Sequence, residues 1–255
     1  MGEHWYDRDG TPRYEIEMVK GGLRPTTIRD ARKFGWVPSV TTILGVLAKP
    51  ALETWKVNQG ILAALTLPRI EGEPEGEYLS RVLSDSREQA KAAAEEGSRI
   101  HDAIERSFRG LVVDAAYRPH VEAARAEIAR LFPEVDDWIP EASFGHASGF
   151  GGRVDLHSPS TGIVVDYKGK DGDFSDGKKL AYDQHWQLAA YNRGLLLPHS
   201  QCANVFVSRT HPGAVASHVW TPDEIAAGWR VFDCALATWK ALKQYDPSQV
   251  MAKAA

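Results

Sequence analysis

The sequence is poor in the features on which several classes of protein depend. It has two cysteines, Cys202 and Cys234, which lie far apart and form no C-x-x-C spacing. This excludes a disulfide framework, a four-cysteine zinc site and a cysteine-ligated iron–sulfur cluster. The formal net charge is -4, so there is no global basic field of the kind that holds many nucleic-acid binders on phosphate. Any contact with a nucleic acid would therefore have to be local.

Long apolar runs are also missing. No stretch approaches the ~20 apolar residues that cross a bilayer, and residues 1–7 lack the basic start and apolar stretch of a signal peptide. We therefore expect a cytoplasmic protein without membrane contact. Internal repeats and low-complexity tracts are absent as well, and 255 residues fit one large domain or one domain with an added arm.

The N-terminal part of the chain is predicted to form an arm. Residues 4–19 alternate apolar and polar side chains around an Asp-Gly pair at 9 and 10, which predicts a β-hairpin. Short helical patterns follow this ribbon. We therefore predict two parts. Residues 1–76 form an N-terminal ribbon and helical arm, which packs on a core formed by residues 77–255, and that core includes a C-terminal helix.

The core region alternates helical and extended patterns. Apolar residues at spacings of three and four predict helices near 78–108, 119–131, 180–196 and 222–245. Short β patterns predict strands at 139–146, 151–157, 163–168, 204–209 and 215–220. The order helix, three strands, helix, strand predicts an α/β protein with a mixed central sheet flanked by helices.

Two neighbouring strands carry the residues best suited to chemistry. One contains Asp155, and the next runs from Ile163 into Asp166 and Lys168. Side chains alternate along a strand, so Asp166 and Lys168 emerge on the same face. If the two strands pair near Asp155, two carboxylates converge beside a lysine, and carboxylate oxygens are the ligands that Mg²⁺ and Mn²⁺ prefer. Such a site supplies what phosphodiester hydrolysis needs, with Lys168 placed to polarise a water.

An ordinary salt bridge at a strand end is the alternative reading of this pattern. The apolar run Ile163–Val165 leads directly into Asp166, so the charged pair lies at the end of a buried strand, where an unpaired charge is costly without a metal or partner. This placement favours a functional site. The glycines at 149, 151 and 152 do not indicate a dinucleotide-binding loop, because no suitable helix follows them.

The combined pattern resembles a known superfamily of nucleases. Asp155, the Asp166–Lys168 motif and Gln187–Tyr191 on the next helix are similar to the PD-(D/E)XK nucleases. The segment Gly97–His101 on an upstream helix resembles the RecB-type exonucleases among them, which include phage exonucleases, CRISPR-adaptation nucleases and the mitochondrial genome-maintenance exonuclease. The resemblance covers most of residues 36–210. It implies a restriction-endonuclease-like core of α-β-β-β-α-β order, the order that the periodicity predicts independently.

The resemblance also implies an activity and a set of ligands. The expected activity is that of a Mg²⁺- or Mn²⁺-dependent DNA exonuclease that works from single-stranded or frayed ends in phage or bacterial recombination, replication or repair. By resemblance His101, Asp155, Asp166 and the backbone carbonyl of Tyr167 bind one or two metal ions, and Asp155, Asp166 and Lys168 are catalytic. The family members that hold an iron–sulfur cluster have four cysteines, which this sequence lacks.

Further residues are expected around this centre. Gln187 and Tyr191, four apart on one helical face, would line the site and contact DNA or support the metal ligands. The glycine-rich loop after the catalytic strand either clamps the nucleic-acid backbone or is a solvated loop, and its basic residues are Lys170, Lys178 and Lys179. Glu141 either assists through a water or pairs with a basic residue.

Two other functions share much of this pattern. One is a nucleic-acid-binding recombination accessory protein with weak turnover, and the other is a structure-specific or sequence-specific endonuclease. The joint presence of Asp155, Asp166 and Lys168 argues against a degenerate site, and no added recognition domain is evident. The expected partner is DNA, with a recombination protein or a single-strand-binding protein as a candidate protein partner.

Overall fold

The computed structural model describes residues 3–252, and its first elements form an N-terminal region of short strands and helices. The strands are β1 (Trp5–Tyr6), β2 (Glu15–Glu17), β3 (Leu23–Pro25) and β4 (Val37–Pro38). The helices are α1 (Ile28–Phe34), α2 (Val40–Leu44) and α3 (Pro50–Thr66).

The hairpin predicted over residues 4–19 forms only in its inner part, around the turn. β1 pairs with β4 and β2 pairs with β3, so the ribbon consists of two separate antiparallel pairs. The turn at residues 9 and 10 does form, with hydrogen bonds from the Asp7 N–H to the Thr11 carbonyl and from the Arg13 N–H to the Trp5 carbonyl around a bridge between Tyr6 and Pro12. Beyond Arg13 the chain leaves this hairpin and pairs within β2 and β3, while β1 gains β4 as a second neighbour.

The remaining elements build a helix-flanked sheet. Two helices, α4 (Glu75–Phe108) and α5 (Arg118–Leu131), precede it and are joined through a 3-10 turn at Ala115–Tyr117. The strands that follow are β5 (Ile139–His146), β6 (Phe150–His157), β7 (Val164–Lys170), β8 (Cys202–Ser208) and β9 (Val215–Trp220). The later helices are α6 (His185–Gly194), between β7 and β8, then α7 (Pro222–Lys243) and α8 (Pro247–Ala252).

The central sheet has five strands in the order β5-β6-β7-β8-β9. β7 and β8 run parallel, and the other neighbours are antiparallel. The predicted α/β class with a mixed central sheet flanked by helices is thereby confirmed. β8 is buried along its whole length, which suits its central position beside a parallel neighbour.

Each face of the sheet is covered by its own hydrophobic cluster. One cluster joins α4 and α5 to the sheet through side chains such as Ile100, Ile128 and Val165. The other joins α6 and α7 to the opposite face and also includes Trp5 and Ile43 from the N-terminal region. Within residues 3–252, no helix combines the length and the apolar character that crossing a membrane requires.

Candidate active site

Asp166 lies at the centre of a hydrogen-bonded cluster on β7. Asp166 is 2% exposed, and its carboxylate has four contacts with N–H donors. Lys168 Nζ lies 2.9 Å from Oδ1 and 2.8 Å from Oδ2, Gln187 Nε2 donates to Oδ1 at 3.0 Å, and Asn204 Nδ2 donates to Oδ2 at 2.8 Å. A carboxylate offers about four acceptor positions, so these donors satisfy Asp166 fully.

The charges of this cluster depend on one another. Burial raises the pKa of Asp166, and the nearby Asp155 carboxylate raises it further, whereas the Lys168 ammonium opposes both effects. Burial alone would lower the pKa of Lys168, but Asp166 and Asp155 raise it above its ordinary value. Lys168 is therefore held as an ammonium ion, and it supplies the positive charge that two close carboxylates need.

Asp155 comes close to Asp166 through the register of β6 and β7. Their ladder ends at the pair Leu156–Val165, and the next position in that register sets Asp155 opposite Asp166. The ladder does not continue there, because the Tyr167 N–H donates to Asp155 Oδ2 at 2.8 Å. The structure thus brings the two carboxylates together as the strand pattern predicted.

The strand that carries Asp155 is irregular at this point. Val154 and Leu156 are two residues apart and would share a face in a regular strand, but they lie in the two opposite hydrophobic clusters. Directly across from Asp155 on β5, Glu141 has a φ of 56°. This left-handed conformation is strained for a residue with a side chain, and such strain is concentrated at functional sites.

His101 is brought to the site by the close approach of α4 to β7. A Cβ placed on Gly169 would lie 3.4 Å from the Cα of Gly97, so the two backbones meet one helical turn before His101. The His101 Nδ1 atom is 3.6 Å from Asp155 Oδ2, and its ring packs edge-on against Tyr167. An imidazole therefore stands beside the carboxylate pair.

Gln187 links the cluster to α6. Its amide nitrogen donates to Asp166 and to Tyr191 Oη at 2.8 Å, and its Oε1 accepts from Lys168 Nζ at 3.2 Å. A Cβ on Gly152 would lie 2.9 Å from a ring carbon of Tyr191, so this glycine makes room for the tyrosine ring. The spacing of four between Gln187 and Tyr191 thus places both side chains at Asp166.

The basic residues of the loop after β7 lie apart from this cluster. Lys170 is exposed at the end of β7. Lys178 pairs with Asp176 at 2.7 Å, and Lys179 lies 5.3 Å from the centre of the Tyr182 ring. In the part of the chain that the structure describes, neither Lys178 nor Lys179 has a hydrogen bond or ion pair with the Asp166 cluster.

Glu141 forms an ion pair with Arg153, which is the second of the two roles considered for it. Arg153 also lies 3.6 Å from Glu105, a carboxylate one helical turn beyond His101 on α4. Burial raises the pKa of Glu141 to about 7, and the charge of Asp155 adds to the effect. The group is thus poised between its two protonation states near neutral pH.

This shift makes stability depend on pH. The pKa of Glu141 is higher in the fold than its ordinary value of 4.5, so the folded state favours the protonated carboxyl. The contribution of Glu141 to the free energy of unfolding is therefore complete below about pH 4.5 and is lost as pH rises through about 7. Glu141→Gln, which stays neutral, should therefore raise the free energy of unfolding by about 1–3 kcal/mol at pH 8 and change it little at pH 4.5. Denaturant unfolding with chelator at both pH values measures this, with exposed Glu122→Gln as the control. Equal effects at the two pH values would contradict it.

Two residues of the cluster escaped the sequence analysis. Asn204 is fully buried on β8, in register with Asp166, and Trp220 on β9 donates to Asn204 Oδ1 at 2.8 Å. The available signal was an asparagine inside the apolar run Cys202–Ser208, where an amide needs a buried partner. That signal indicates a partner without saying which one.

The donor set suits a hard divalent cation in its chemistry, since it offers two coupled carboxylates and an imidazole. Among residues 3–252, however, no three His, Cys, Asp or Glu side chains are grouped so that they could hold a metal ion. Hydrogen bonds, moreover, already occupy the carboxylates. N–H donors occupy the acceptor positions of Asp166, and the Tyr167 N–H occupies Asp155 Oδ2.

Comparisons with known proteins give only distant structural similarities for this chain. No protein-family model and no curated protein matches the chain. Solved structures that are distantly similar to it include the following two. The protein SSO0001 matches with a TM-score of 0.33 and 15% identity over 78% of this chain and 95% of that chain. A phage-related exonuclease from Haemophilus somnus 129PT matches with a TM-score of 0.30 and 11% identity over 77% of this chain and 95% of that chain. Likenesses at this level carry no argument about activity.

Proposed function

We propose that the chain is a Mg²⁺- or Mn²⁺-dependent deoxyribonuclease of the PD-(D/E)XK type. The observation that carries the proposal is the pairing of Asp166 and Lys168 on one face of β7, with Asp155 next in register on β6. A buried carboxylate beside a second, half-buried one destabilises the fold unless a positive charge compensates it, and phosphodiester chemistry uses this kind of arrangement. A salt bridge for stability alone would not need the second carboxylate.

The order of the elements supports the same proposal. From α4 and α5 the chain passes through β5, β6 and β7, then α6, then β8, an order compatible with the α-β-β-β-α-β core that the proposal implies. The crossover from β7 to β8 contains α6, so Gln187 lies over the end of the strand that carries Asp166. This accounts for the spacing between the Asp166–Lys168 motif and the Gln187–Tyr191 motif.

The chain's own residues have distinct parts in this proposal. Asp155, Asp166, His101 and the Tyr167 carbonyl are not grouped around an ion position in the structure, so they would have to draw together to hold the divalent ion. When bound, that ion would activate a water and neutralise charge on the phosphate. Lys168 keeps its charge, so it is suited to stabilise the developing negative charge of the phosphate. Gln187 contacts both charged groups of β7 and fixes their orientation.

We propose further that the enzyme is an exonuclease that starts from single-stranded or frayed DNA ends. Incubation of end-labelled linear and covalently closed circular DNA, each single- and double-stranded, with Mg²⁺ or Mn²⁺ tests this. We expect loss of label from linear DNA, stability of the circles, and no reaction with chelator. Cleavage of circles would indicate an endonuclease, and no metal-dependent cleavage of any substrate would contradict the proposal.

A nucleic-acid-binding accessory protein with weak turnover is the second candidate. The saturated hydrogen bonding of Asp166 favours it, because a cation has to displace a donor before it can bind there. The same digestion separates the two functions when DNA binding is measured alongside. Binding of labelled DNA without cleavage in either metal would support the accessory role.

Removal of the His101 imidazole should weaken the dependence on metal. If His101 is a ligand beside Asp155, His101→Ala should raise the Mn²⁺ concentration for half-maximal cleavage by roughly tenfold or more. A metal titration of initial cleavage rates measures this, with exposed His199→Ala as the control. Full activity with an unchanged titration would assign His101 a purely structural role.

A further inference from the structure

A buried pair of side chains on the neighbouring strands β8 and β9 is linked to Asp166. Asn204 is 0% exposed and its amide nitrogen donates to Asp166 Oδ2, the shorter of its two contacts with that residue. Trp220, which is 5% exposed, donates its indole N–H to Asn204 Oδ1. Three strands, β7, β8 and β9, are thereby linked in one chain of hydrogen bonds that ends on the carboxylate.

The direction of the Asn204 amide follows from chemistry alone. An indole N–H can only donate, so the side of Asn204 that faces Trp220 must be its oxygen. The NH₂ group must then face Asp166, and the choice between the two amide orientations is settled by the tryptophan. The Trp220 ring is itself held between the rings of His185 and His218, whose centres lie 4.5 and 4.2 Å away.

We propose that Asn204, oriented by Trp220, is a positioning residue that fixes the Asp166 carboxylate for binding a divalent cation. The inference rests on the proposed function, because it takes Asp166 as a metal ligand. Lys168 from β7 and Gln187 from α6 hold the same carboxylate, and both are only partly buried, so a cation can take their place. Asn204 is fully buried, so its side chain cannot move away into solvent.

Binding of Mn²⁺ alone to the full-length protein, measured by calorimetry without DNA, tests this positioning role. Asn204→Ala should weaken Mn²⁺ binding by about 10- to 100-fold, the effect typical of groups that orient metal ligands. Trp220→Phe keeps an aromatic side chain but loses the indole N–H, so the Asn204 amide can rotate, and the dissociation constant for Mn²⁺ should rise by about three- to tenfold. If Trp220 acts through Asn204, Trp220→Phe should add nothing in the Asn204→Ala background.

Trp239→Phe is the matched control. Its indole is as deeply buried as that of Trp220, but Nε1 of Trp239 has no hydrogen-bond partner among the described residues, and it lies on α7. This variant should bind Mn²⁺ as the wild type does. It corrects for the general effect of shrinking a buried tryptophan.

The outcomes separate the inference from the proposed function. Unchanged Mn²⁺ affinity in Trp220→Phe and Asn204→Ala, with lowered melting temperatures, would overturn the inference and leave the nuclease proposal standing. If Asn204→Ala does not fold, the inference is tested by the Mn²⁺ affinity of Trp220→Phe compared with that of Trp239→Phe. Equal affinities would overturn it. A wild-type protein that binds Mn²⁺ without cleaving DNA would contradict the proposed function, and the variants would still test the inference. A wild-type protein that binds no Mn²⁺ would overturn both.

Discussion

Asp166→Asn protein is expected to lose metal-dependent DNA cleavage by at least ~1000-fold, because no other group in the cluster can replace its charge. The substitution keeps the shape of the side chain and the contacts with Gln187 and Lys168 within reach. It removes the negative charge that Lys168 balances and that a cation would need. The loss should therefore fall on metal binding and turnover together, and calorimetry with Mn²⁺ should show no binding at this site.

Stability has to be followed in the same experiment. Lys168 loses its counter-ion in Asp166→Asn, which should lower the free energy of unfolding by about 1–3 kcal/mol. Thermal unfolding with chelator shows whether the variant is folded at the assay temperature. Exposed Asp233→Asn on α7 is the matched control and should leave cleavage unchanged. Undiminished cleavage by folded Asp166→Asn protein would remove the basis of the proposed mechanism.

Lys168→Met should separate turnover from binding. Methionine keeps most of the length of the side chain but removes the ammonium ion that contacts both oxygens of Asp166. We expect turnover to fall by about 100- to 1000-fold, the usual effect of removing one charge-stabilising donor. DNA binding should change by less than about threefold, because a single phosphate contact contributes little to it.

The same variant should bind Mn²⁺ more tightly than the wild type. The Lys168 ammonium occupies acceptor positions on Asp166, and its removal frees them for a cation. Calorimetry with Mn²⁺, gel-shift binding of single-stranded DNA and initial cleavage rates give the three quantities. Lys178→Met, at a lysine paired with Asp176 in the exposed loop, is the control. A parallel loss of DNA binding and turnover would instead assign Lys168 to substrate binding.

The local pattern of apolar and polar residues predicted the strands of the sheet and the candidate residues on them. It did not predict pairings between residues that are distant in the sequence. The strand that carries Asp166 followed from its apolar run, since burial and alternation act within one strand. The N-terminal hairpin was predicted only in part, for the opposite reason. Its turn residues determine the local pairing around residues 9 and 10, but the pairing of Trp5 and Tyr6 with β4 joins distant parts of the chain.

The local sequence alone determined which side chains share a face, because backbone geometry sets the periods of strands and helices. The spacing of two placed Asp166 and Lys168 on one face of a strand, and the spacing of four placed Gln187 and Tyr191 on one face of a helix. The tertiary structure alone decided that Asn204 holds Asp166 from behind and that Glu141 pairs with Arg153. It also decided that Asp166 is saturated by donors from three separate elements. Such contacts join residues far apart in the chain, and their partners depend on how the strands and α6 pack, which no local spacing encodes.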